Sequence, residues 1–160
     1  MPPHLTTKTH ADMALYQVVK TYGHDLGLSC TFRQWRADSH CNNLHGYAIS
    51  VQLVFETTQL DAQNWVIDFG SLKPIKDFLH TNYDHVLLVA NDDPAWTELN
   101  HLGALGLANV RTVDNVGCEG FAKHIADYVT AWLRTQRSDV TLAKVTVQEQ
   151  PSNAATYIPQ

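Results

Sequence analysis

The chain has 160 residues with 11 basic and 16 acidic side chains, so its formal charge at pH 7 is −5 with histidine counted as neutral. An apolar content of 44% excludes a largely disordered chain, and the acidic balance disfavours a nucleic-acid-binding protein, which needs a basic face. Only 17% of the residues are Asp, Glu, Lys or Arg, so much of the surface is either uncharged or covered by another subunit, which favours a homo-oligomer.

Targeting signals and cysteine usage point to the cytoplasm. No stretch approaches the roughly 20 apolar residues of a membrane span, and the start, MPPHLTTKTH, lacks the layout of a secretory signal. The three cysteines, Cys30, Cys41 and Cys118, form neither a CxxC pair nor a disulfide framework. We therefore expect free thiols and no membrane partner.

The N-terminal part of the chain is predicted to be a helical extension. Apolar residues between positions 11 and 22 follow a helical spacing, and Gly23 is a suitable residue to end a helix. This divides the chain into an extension, 1–26, and one domain, 27–160.

The domain is predicted to begin with a long β-hairpin. The segments 27–38 and 44–57 are rich in aromatic and β-branched residues, which favour strands. Asn42 and Asn43 suit a two-residue turn between them, because asparagine tolerates positive φ.

Two helices and two strands follow the hairpin. The first helix carries Leu72, Ile75 and Leu79 on one face, and the second runs from 119 to 135 with its own apolar stripe. A short strand, NVRTVD, precedes the second helix, and the alternating segment 141–150 predicts a final strand. The pattern predicts an α+β domain, an antiparallel sheet with two helices on one face.

The two-residue turn has a chemical consequence, because it places His40 directly opposite His45. Asp38 and Tyr47 then fall on the same face as the two imidazoles. Two imidazoles and an oxygen donor make a zinc site with an open position. A polar cross-strand cluster without metal fits the same spacing.

Three further positions carry reactive side chains. Asp84 and His85 form an adjacent carboxylate and imidazole pair, which fits either an oriented acid and base or a solvated helix end. Glu149 either occupies a core-facing position of the last strand, where an ionised carboxylate needs donors, or lies solvated at the end of that strand. Cys41 lies in a polar turn and is more accessible than a packing cysteine.

Five segments resemble the hallmark blocks of the 6-pyruvoyltetrahydropterin synthase and 6-carboxytetrahydropterin synthase family. In chain order they are CNNLHGY, WVIDFGSLK, NYDHVLL, VGCEGFAKHI and VTVQEQPSNAATY. The resemblance extends from Phe32 to Tyr157 and implies the tunnelling fold, in which sheets from several subunits close into a barrel with sites between subunits; a hexamer is the candidate assembly.

The resemblance also implies an activity and residue roles. Members act on 7,8-dihydroneopterin triphosphate, and the product expected here is 6-carboxy-5,6,7,8-tetrahydropterin, a precursor of queuosine and other 7-deazapurines. Cys41 is then the thiolate base, Asp84 and His85 complete the proton-transfer set, and Glu149 and Glu119 seat the pterin.

The metal block departs from the family pattern. Of the three family ligand positions only His45 is a histidine, since Arg36 and Tyr47 stand at the other two. Either the metal is lost, or the hairpin rebuilds a zinc site from His40 and His45, with His24 as a further candidate donor. The predicted hairpin register favours the rebuilt site.

Three functions remain open on the sequence alone. The first is a lyase of the 6-carboxytetrahydropterin synthase type, with a 6-pyruvoyltetrahydropterin-type synthase as its alternative. The second is a pterin- or purine-binding paralogue without turnover, in which the glutamates still seat a ring. The third is a homo-oligomeric structural protein.

Overall fold

The computed structural model of the chain describes residues 14–160. These residues form a seven-stranded sheet and three α-helices. In chain order the elements are β1 Tyr16–Tyr22, β2 Leu28–Phe32, β3 His45–Thr57, α1 Lys73–Tyr83, β4 Val86–Ala90, α2 Trp96–Ala104, β5 Val110–Val113, α3 Cys118–Gln136, β6 Thr141–Gln150 and β7 Asn153–Tyr157.

The long strand β3 organises the sheet. Its first part pairs antiparallel with β2, its second part pairs with β1, and its other edge pairs with β6, which in turn carries β7. Both β4 and β5 extend the sheet beyond β2 in parallel pairs. The sheet is therefore mixed, whereas the sequence predicted antiparallel pairing throughout.

The predicted N-terminal helix is wrong over the described residues, because Tyr16–Tyr22 forms β1. Along this segment Val18 and Lys20 alternate with the exposed Val19 and Thr21, and Tyr22 is buried. That alternation has the period of a strand, and the segment is rich in residues that favour strands. Residues 11–13 of the predicted helix lie outside the described residues.

The sequence also missed β4 and α2. Every residue of β4 is buried, because Val86 and Leu88 face the main core while Leu87 and Val89 pack with Leu99 of α2. A strand buried on both faces is a continuous apolar run and carries no alternating signal.

Helices α1 and α3 share one core with the sheet. Phe78 of α1 stacks on Tyr128 of α3 with ring centroids 3.9 Å apart, and Tyr83 packs edge-on against Phe121. The predicted second helix and the last strand are confirmed as α3 and β6. No helix among residues 14–160 combines the length and apolarity needed to cross a membrane.

The predicted two-residue turn is wrong, because residues 33–44 form a wide loop between β2 and β3. The loop ends in a 3-10 turn, His40–Asn42, and Phe32 rather than His40 lies opposite His45. The Asn42 amide donates to the carbonyl oxygens of Trp35 and Ala37, at 2.9 and 3.2 Å. It therefore closes the loop on itself, which a tight hairpin turn does not allow.

Candidate active site

A cavity of about 220 Å³ lies where the 33–44 loop meets β3, the start of α3 and the β6–β7 hairpin. It brings together four of the predicted site residues, Cys41, His45, Glu119 and Glu149. The rest of the lining is Phe32, Gln34, Tyr47, Gly117, Cys118, Asn153, Ala154 and Ala155. Larger cavities of about 460 and 540 Å³ lie elsewhere and are lined by neither histidine nor cysteine.

Cys41 is held at the edge of this cavity by the backbone of its loop. The side chain of Ser39 accepts a hydrogen bond from the Cys41 N–H at 3.3 Å, and the Cys41 carbonyl oxygen accepts one from the Gln34 N–H at 2.9 Å. All three cysteines are free, as predicted. Cys41 is half-buried, whereas Cys30 and Cys118 are buried.

The two buried cysteines are poor candidates for a thiolate. Burial raises the pKa of Cys30 to about 12, with a further contribution from Cys118. Burial also raises the pKa of Cys118 to about 11, and the charges of Glu149 and Glu119 add to the effect. Because a thiolate is the reactive form, Cys41 is the cysteine that can serve as a base or nucleophile here.

Glu149 lies at an irregularity in the pairing of β6 with β7, where Gln148 and Gln150 find partners and Glu149 does not. Its Oε1 accepts a hydrogen bond from the Asn153 amide at 3.0 Å, and the side chain remains half-buried. A carboxylate has about four acceptor positions, so most of its hydrogen-bonding capacity is available to a ligand in the cavity.

The start of α3 forms the opposite wall. Gly117 precedes the helix with φ of 96°, a left-handed conformation that favours glycine, and a Cβ at this position would collide with the Gln34 amide. The Gln34 amide donates to the Val116 carbonyl oxygen at 3.2 Å. Glu119, in the first turn of α3, is exposed. Sequence reasoning missed Gln34, because nothing in its sequence neighbourhood places it against α3.

Tyr47 joins an aromatic group beside the cavity. Its ring packs edge-on against His45, with centroids 5.6 Å apart, and lies 6.2 Å from Phe32. Burial raises the pKa of Tyr47, as do the nearby charges of Glu149 and Cys41. The phenol is therefore a neutral hydrogen-bond donor at neutral pH.

Asp84 and His85 do not line this cavity. His85 Nδ1 lies 2.7 Å from Asp84 Oδ1, and the His85 side chain is 86% exposed. Burial acts to raise the pKa of Asp84, but hydrogen bonds from His85 and His80 outweigh it and hold that pKa below its usual value. The pair lies at the Ser29 end of β2, whereas Phe32 at the other end borders the cavity.

The backbone of His85 is also unusual. Its φ of 55° is in the left-handed region, which non-glycine residues rarely adopt, and its N–H donates to the Ser29 carbonyl oxygen at 2.6 Å. Such conformations concentrate at functional sites. The exposed imidazole is thus held at a fixed place on the surface of the chain.

The predicted opposition of His40 and His45, on which the zinc pair depends, is not formed, because Phe32 lies opposite His45. His40 is exposed in its 3-10 turn, and His45 Nδ1 is 2.7 Å from the Asn43 carbonyl oxygen. His24 is also engaged, with its two ring nitrogens at 2.5 Å from the Ala48 carbonyl oxygen and 3.2 Å from Gln148 Oε1.

The other two positions that the family resemblance identifies as metal ligands also lack a histidine. Arg36 is ion-paired with Asp92, and Tyr47 offers a neutral phenol in place of an imidazole. Over residues 14–160 no three His, Cys, Asp or Glu side chains cluster in a way that could hold a metal ion. A structural or catalytic zinc site needs three or four such ligands, so the donors among residues 14–160 do not fit the metal.

Comparison with known proteins identifies relatives along most of the chain. Residues 24–160 match the family model described as 6-pyruvoyl tetrahydropterin synthase. The 6-carboxy-5,6,7,8-tetrahydropterin synthase of Bacillus subtilis is 28% identical over 120 residues, which cover 75% of this chain and 71% of the relative. The enzyme of the same name from Aquifex aeolicus is 25% identical over 137 residues, covering 82% and 83%.

Solved structures give the same fold. An uncharacterized protein of Wolinella succinogenes superposes with a TM-score of 0.79 at 20% identity, covering 92% of this chain and 99% of the other. A 6-pyruvoyl tetrahydropterin synthase of Plasmodium falciparum superposes with a TM-score of 0.63 at 14% identity, covering 89% and 96%. The predicted α+β tunnelling fold is confirmed.

Proposed function

Because the chain belongs to the 6-pyruvoyl tetrahydropterin synthase family, we propose that it is a pterin synthase that converts 7,8-dihydroneopterin triphosphate to 6-carboxy-5,6,7,8-tetrahydropterin, a precursor of queuosine. Both curated relatives carry the name of the 6-carboxy enzyme, which favours that product over the 6-pyruvoyl one. The observation that carries the proposal is the cavity in which Cys41, Glu119 and Glu149 meet.

Ring recognition is assigned to the two glutamates. A pterin presents its 2-amino group and N3–H on one edge, and a carboxylate can accept both hydrogen bonds at once. Such charge-assisted bonds are stronger than neutral ones. Glu149 is the half-buried carboxylate of the cavity and takes this edge, while the exposed Glu119 lies at the other wall.

Proton transfer is assigned to Cys41. The thiolate takes the proton from C1′ of the pterin side chain, and that C–H electron pair moves into the C6=N5 bond; protons return at N5 and C6, so the ring becomes tetrahydro while C1′ becomes a ketone. Loss of the C2′ proton through an enolate on the C1′ oxygen then expels triphosphate from C3′. Addition of water at C1′ with cleavage of the C1′–C2′ bond leaves the carboxylate and releases the two-carbon fragment as acetaldehyde. A positioned base of this kind contributes about 10²–10⁴-fold to the rate. Cys41 borders the cavity at the side of the loop, so a ring seated on Glu149 can direct its side chain toward the sulfur.

Asp84 and His85 complete the proton-transfer set from a neighbouring copy of the chain. Within one chain they lie away from the cavity, yet they form an oriented, exposed pair. Among the described residues, strands β1, β5 and β7 each have one paired neighbour, so the sheet offers three open strand edges. Open edges are templates for pairing with another chain, and we propose a homo-oligomer with sites between subunits, with six as the candidate number of subunits.

The reaction is proposed to run on the chain's own groups, since the donors within the described part of the chain do not fit zinc. Proton removal places negative charge on a side-chain oxygen of the substrate, and a preorganised donor stabilises that charge. Tyr47 lies in the cavity with a neutral phenol, so its O–H can donate to that oxygen.

The product of an incubation with 7,8-dihydroneopterin triphosphate tests this proposal. We expect mass spectrometry to detect 6-carboxy-5,6,7,8-tetrahydropterin with the wild type and at least about 100-fold less with Cys41→Ala, which removes the base. Pterin affinity of Cys41→Ala should equal that of the wild type. A pyruvoyl product would revise the reaction, and full activity in Cys41→Ala would move the base role to another group.

A pterin-binding protein without turnover is the second candidate. The replacement of two family ligand positions by Arg36 and Tyr47 favours it, because both changes remove metal donors while the glutamates remain. This candidate predicts pterin binding without any product in the same incubation.

A further inference from the structure

The loop that carries Cys41 is anchored by an ion pair between Arg33 and Asp93, which has no part in the proposed reaction. Arg33 Nε and Nη2 donate to the two carboxylate oxygens of Asp93, at 2.8 and 2.7 Å. The Asp93 side chain is 1% exposed and also accepts the Ala95 N–H at 2.8 Å, which fixes it to the turn after β4. Bidentate arginine–carboxylate pairs of this kind are strong and directional.

Arg33 reaches from this anchor to the residue next to Cys41. Its Nη1 donates to Asn42 Oδ1 at 2.9 Å and lies 3.3 Å from the Asn42 carbonyl oxygen. The Asn42 amide in turn holds the loop carbonyls of Trp35 and Ala37. A continuous series of hydrogen bonds therefore joins the buried Asp93 to the backbone beside the thiol.

A second, outer pair supports the same loop. Arg36 Nη2 donates to Asp92 Oδ2 at 2.6 Å and stacks on the Trp35 ring at 4.0 Å, while Trp35 Nε1 donates to Asp92 Oδ1 at 3.0 Å. Both members of this ion pair are exposed, at 64% and 44%, so solvent weakens it. The buried Arg33–Asp93 pair is thus the principal anchor.

The family resemblance implies a metal ligand at position 36. In this chain that position is an arginine, whose ion pair with Asp92 attaches the loop to the turn after β4. We propose that the Arg33–Asp93 pair, extended by Asn42, is the positioning device for Cys41, and that it orders the 33–44 loop without a divalent metal. Only the catalytic use of Cys41 rests on the proposed function; the ordering of the loop does not.

The alkylation rate of Cys41 by iodoacetamide, followed by peptide mass mapping on the full chain, tests this proposal. If the loop is released, the thiol samples open conformations, and we expect Asp93→Asn and Asn42→Ala each to raise the rate by about 10-fold. Arg33→Lys keeps the charge without the two-pronged geometry and should give an intermediate rate. EDTA should leave the wild-type rate unchanged.

The matched control is Asp77→Asn, which removes the carboxylate of the exposed Lys73–Asp77 pair in α1. It should leave the rate unchanged. Asn42→Ala leaves no buried charge unpaired, so it reports on the loop even if Asp93→Asn fails to fold. Unchanged rates in Asn42→Ala and in folded Asp93→Asn, or a rise with EDTA as large as that in Asn42→Ala, would overturn the proposal.

The kinetic constants of the loop variants distinguish a misplaced Cys41 thiol from a general loss of structure. A misplaced thiol lowers kcat by on the order of 10-fold, while KM stays within about twofold because Glu149 lies on β6, away from the released loop. Equal loss in kcat and rise in KM would contradict a positioning role. If the wild type has no turnover, the proposed function fails, and the alkylation rates still decide the ordering of the loop.

Discussion

Glu149 is the side chain on which ligand recognition depends most. Without a ligand, this half-buried carboxylate has too few hydrogen-bond donors around it. Its one hydrogen bond within the described residues comes from Asn153. The edge of a ligand with two N–H groups supplies the hydrogen-bond donors that the carboxylate lacks. Burying those N–H groups without an acceptor would cost binding free energy.

Replacement of Glu149 by glutamine tests recognition without reference to catalysis. Glu149→Gln loses the charge and should weaken pterin binding by about 1–3 kcal/mol, and Glu149→Ala should weaken it further. Isothermal titration calorimetry in a Cys41→Ala background measures the effect. Glu98→Gln, at an exposed carboxylate of α2, is the control, and equal affinity in all variants would remove the pterin assignment.

Tyr47→Phe tests the donor that is proposed in place of a metal. The raised pKa of Tyr47 keeps its phenol protonated, so the variant loses one O–H donor and little else. We expect kcat to fall by about 10²–10³-fold with pterin affinity nearly unchanged, as when an oxyanion donor is removed. Full activity of Tyr47→Phe would show that the oxygen is stabilised by another group.

At the scale of secondary structure, the Arg33–Asp93 pair makes the loop between β2 and β3 sensitive to acid. The hydrogen bonds from Arg33 hold the pKa of Asp93 below its usual value. A carboxyl group with a lowered pKa stabilises the fold above the pKa of the unfolded state, about 3.9, and loses that contribution as the pH falls toward the folded-state value.

We therefore expect wild-type stability to fall more steeply between about pH 5 and pH 2 than that of Asp93→Asn. At neutral pH the variant should be less stable by about 1.5–3 kcal/mol, because it loses charge-assisted hydrogen bonds. Denaturant unfolding at several pH values measures both effects, with Asp77→Asn as control. If the free energy of unfolding falls equally with pH in Asp93→Asn and in the wild type, Asp93 is not the source of the acid sensitivity.

The elements that the sequence predicted best are those with a clear period. α3 and β6 carry a helical stripe and a strict alternation, so both were recognised almost to the residue. β4 has no alternation because it is buried on both faces, and the apolar positions of β1 fit a helical spacing as well as that of a strand.

The candidate site was predictable only in part, for a similar reason. Cys41, Glu119 and Glu149 lie in blocks that resemble the family, and the structure brings all three to one cavity. The opposition of His40 and His45 depended on a tight turn, and the side-chain hydrogen bonds of Asn42 instead build a wide loop. Long-range partners such as Asp93 leave no signal near Arg33 in the sequence.

For the whole molecule, the surface indicates assembly. Several large apolar side chains are about half exposed along β1 and the segment before α1, namely Tyr16, Val19, Trp65 and Phe69. Patches of this kind mark interaction surfaces. Together with the open edges of β1 and β7 they support the proposed homo-oligomer, in which Cys41 of one copy meets Asp84 and His85 of another.

Mixing two inactive variants tests the shared site. Cys41→Ala and His85→Ala should each be inactive alone, and a mixture unfolded and refolded together should recover about a quarter of wild-type activity, because a site in a random hybrid needs both intact residues. The control mixes Cys41→Ala with Glu149→Ala, two residues of one cavity within one chain, at a substrate concentration too low to saturate the Glu149→Ala protein. Recovery in the control alone, or in neither mixture, would contradict a site divided between subunits.

The activity of metal-stripped protein tests whether this chain processes pterins with its own side chains. The protein is dialysed against EDTA, its metal content is measured, and product formation from 7,8-dihydroneopterin triphosphate is then followed with and without added zinc. We predict the same rate of 6-carboxy-5,6,7,8-tetrahydropterin formation in both samples. Loss of the product when the metal is removed, and its return with stoichiometric zinc, would show that the reaction depends on the metal and not on the side chains alone.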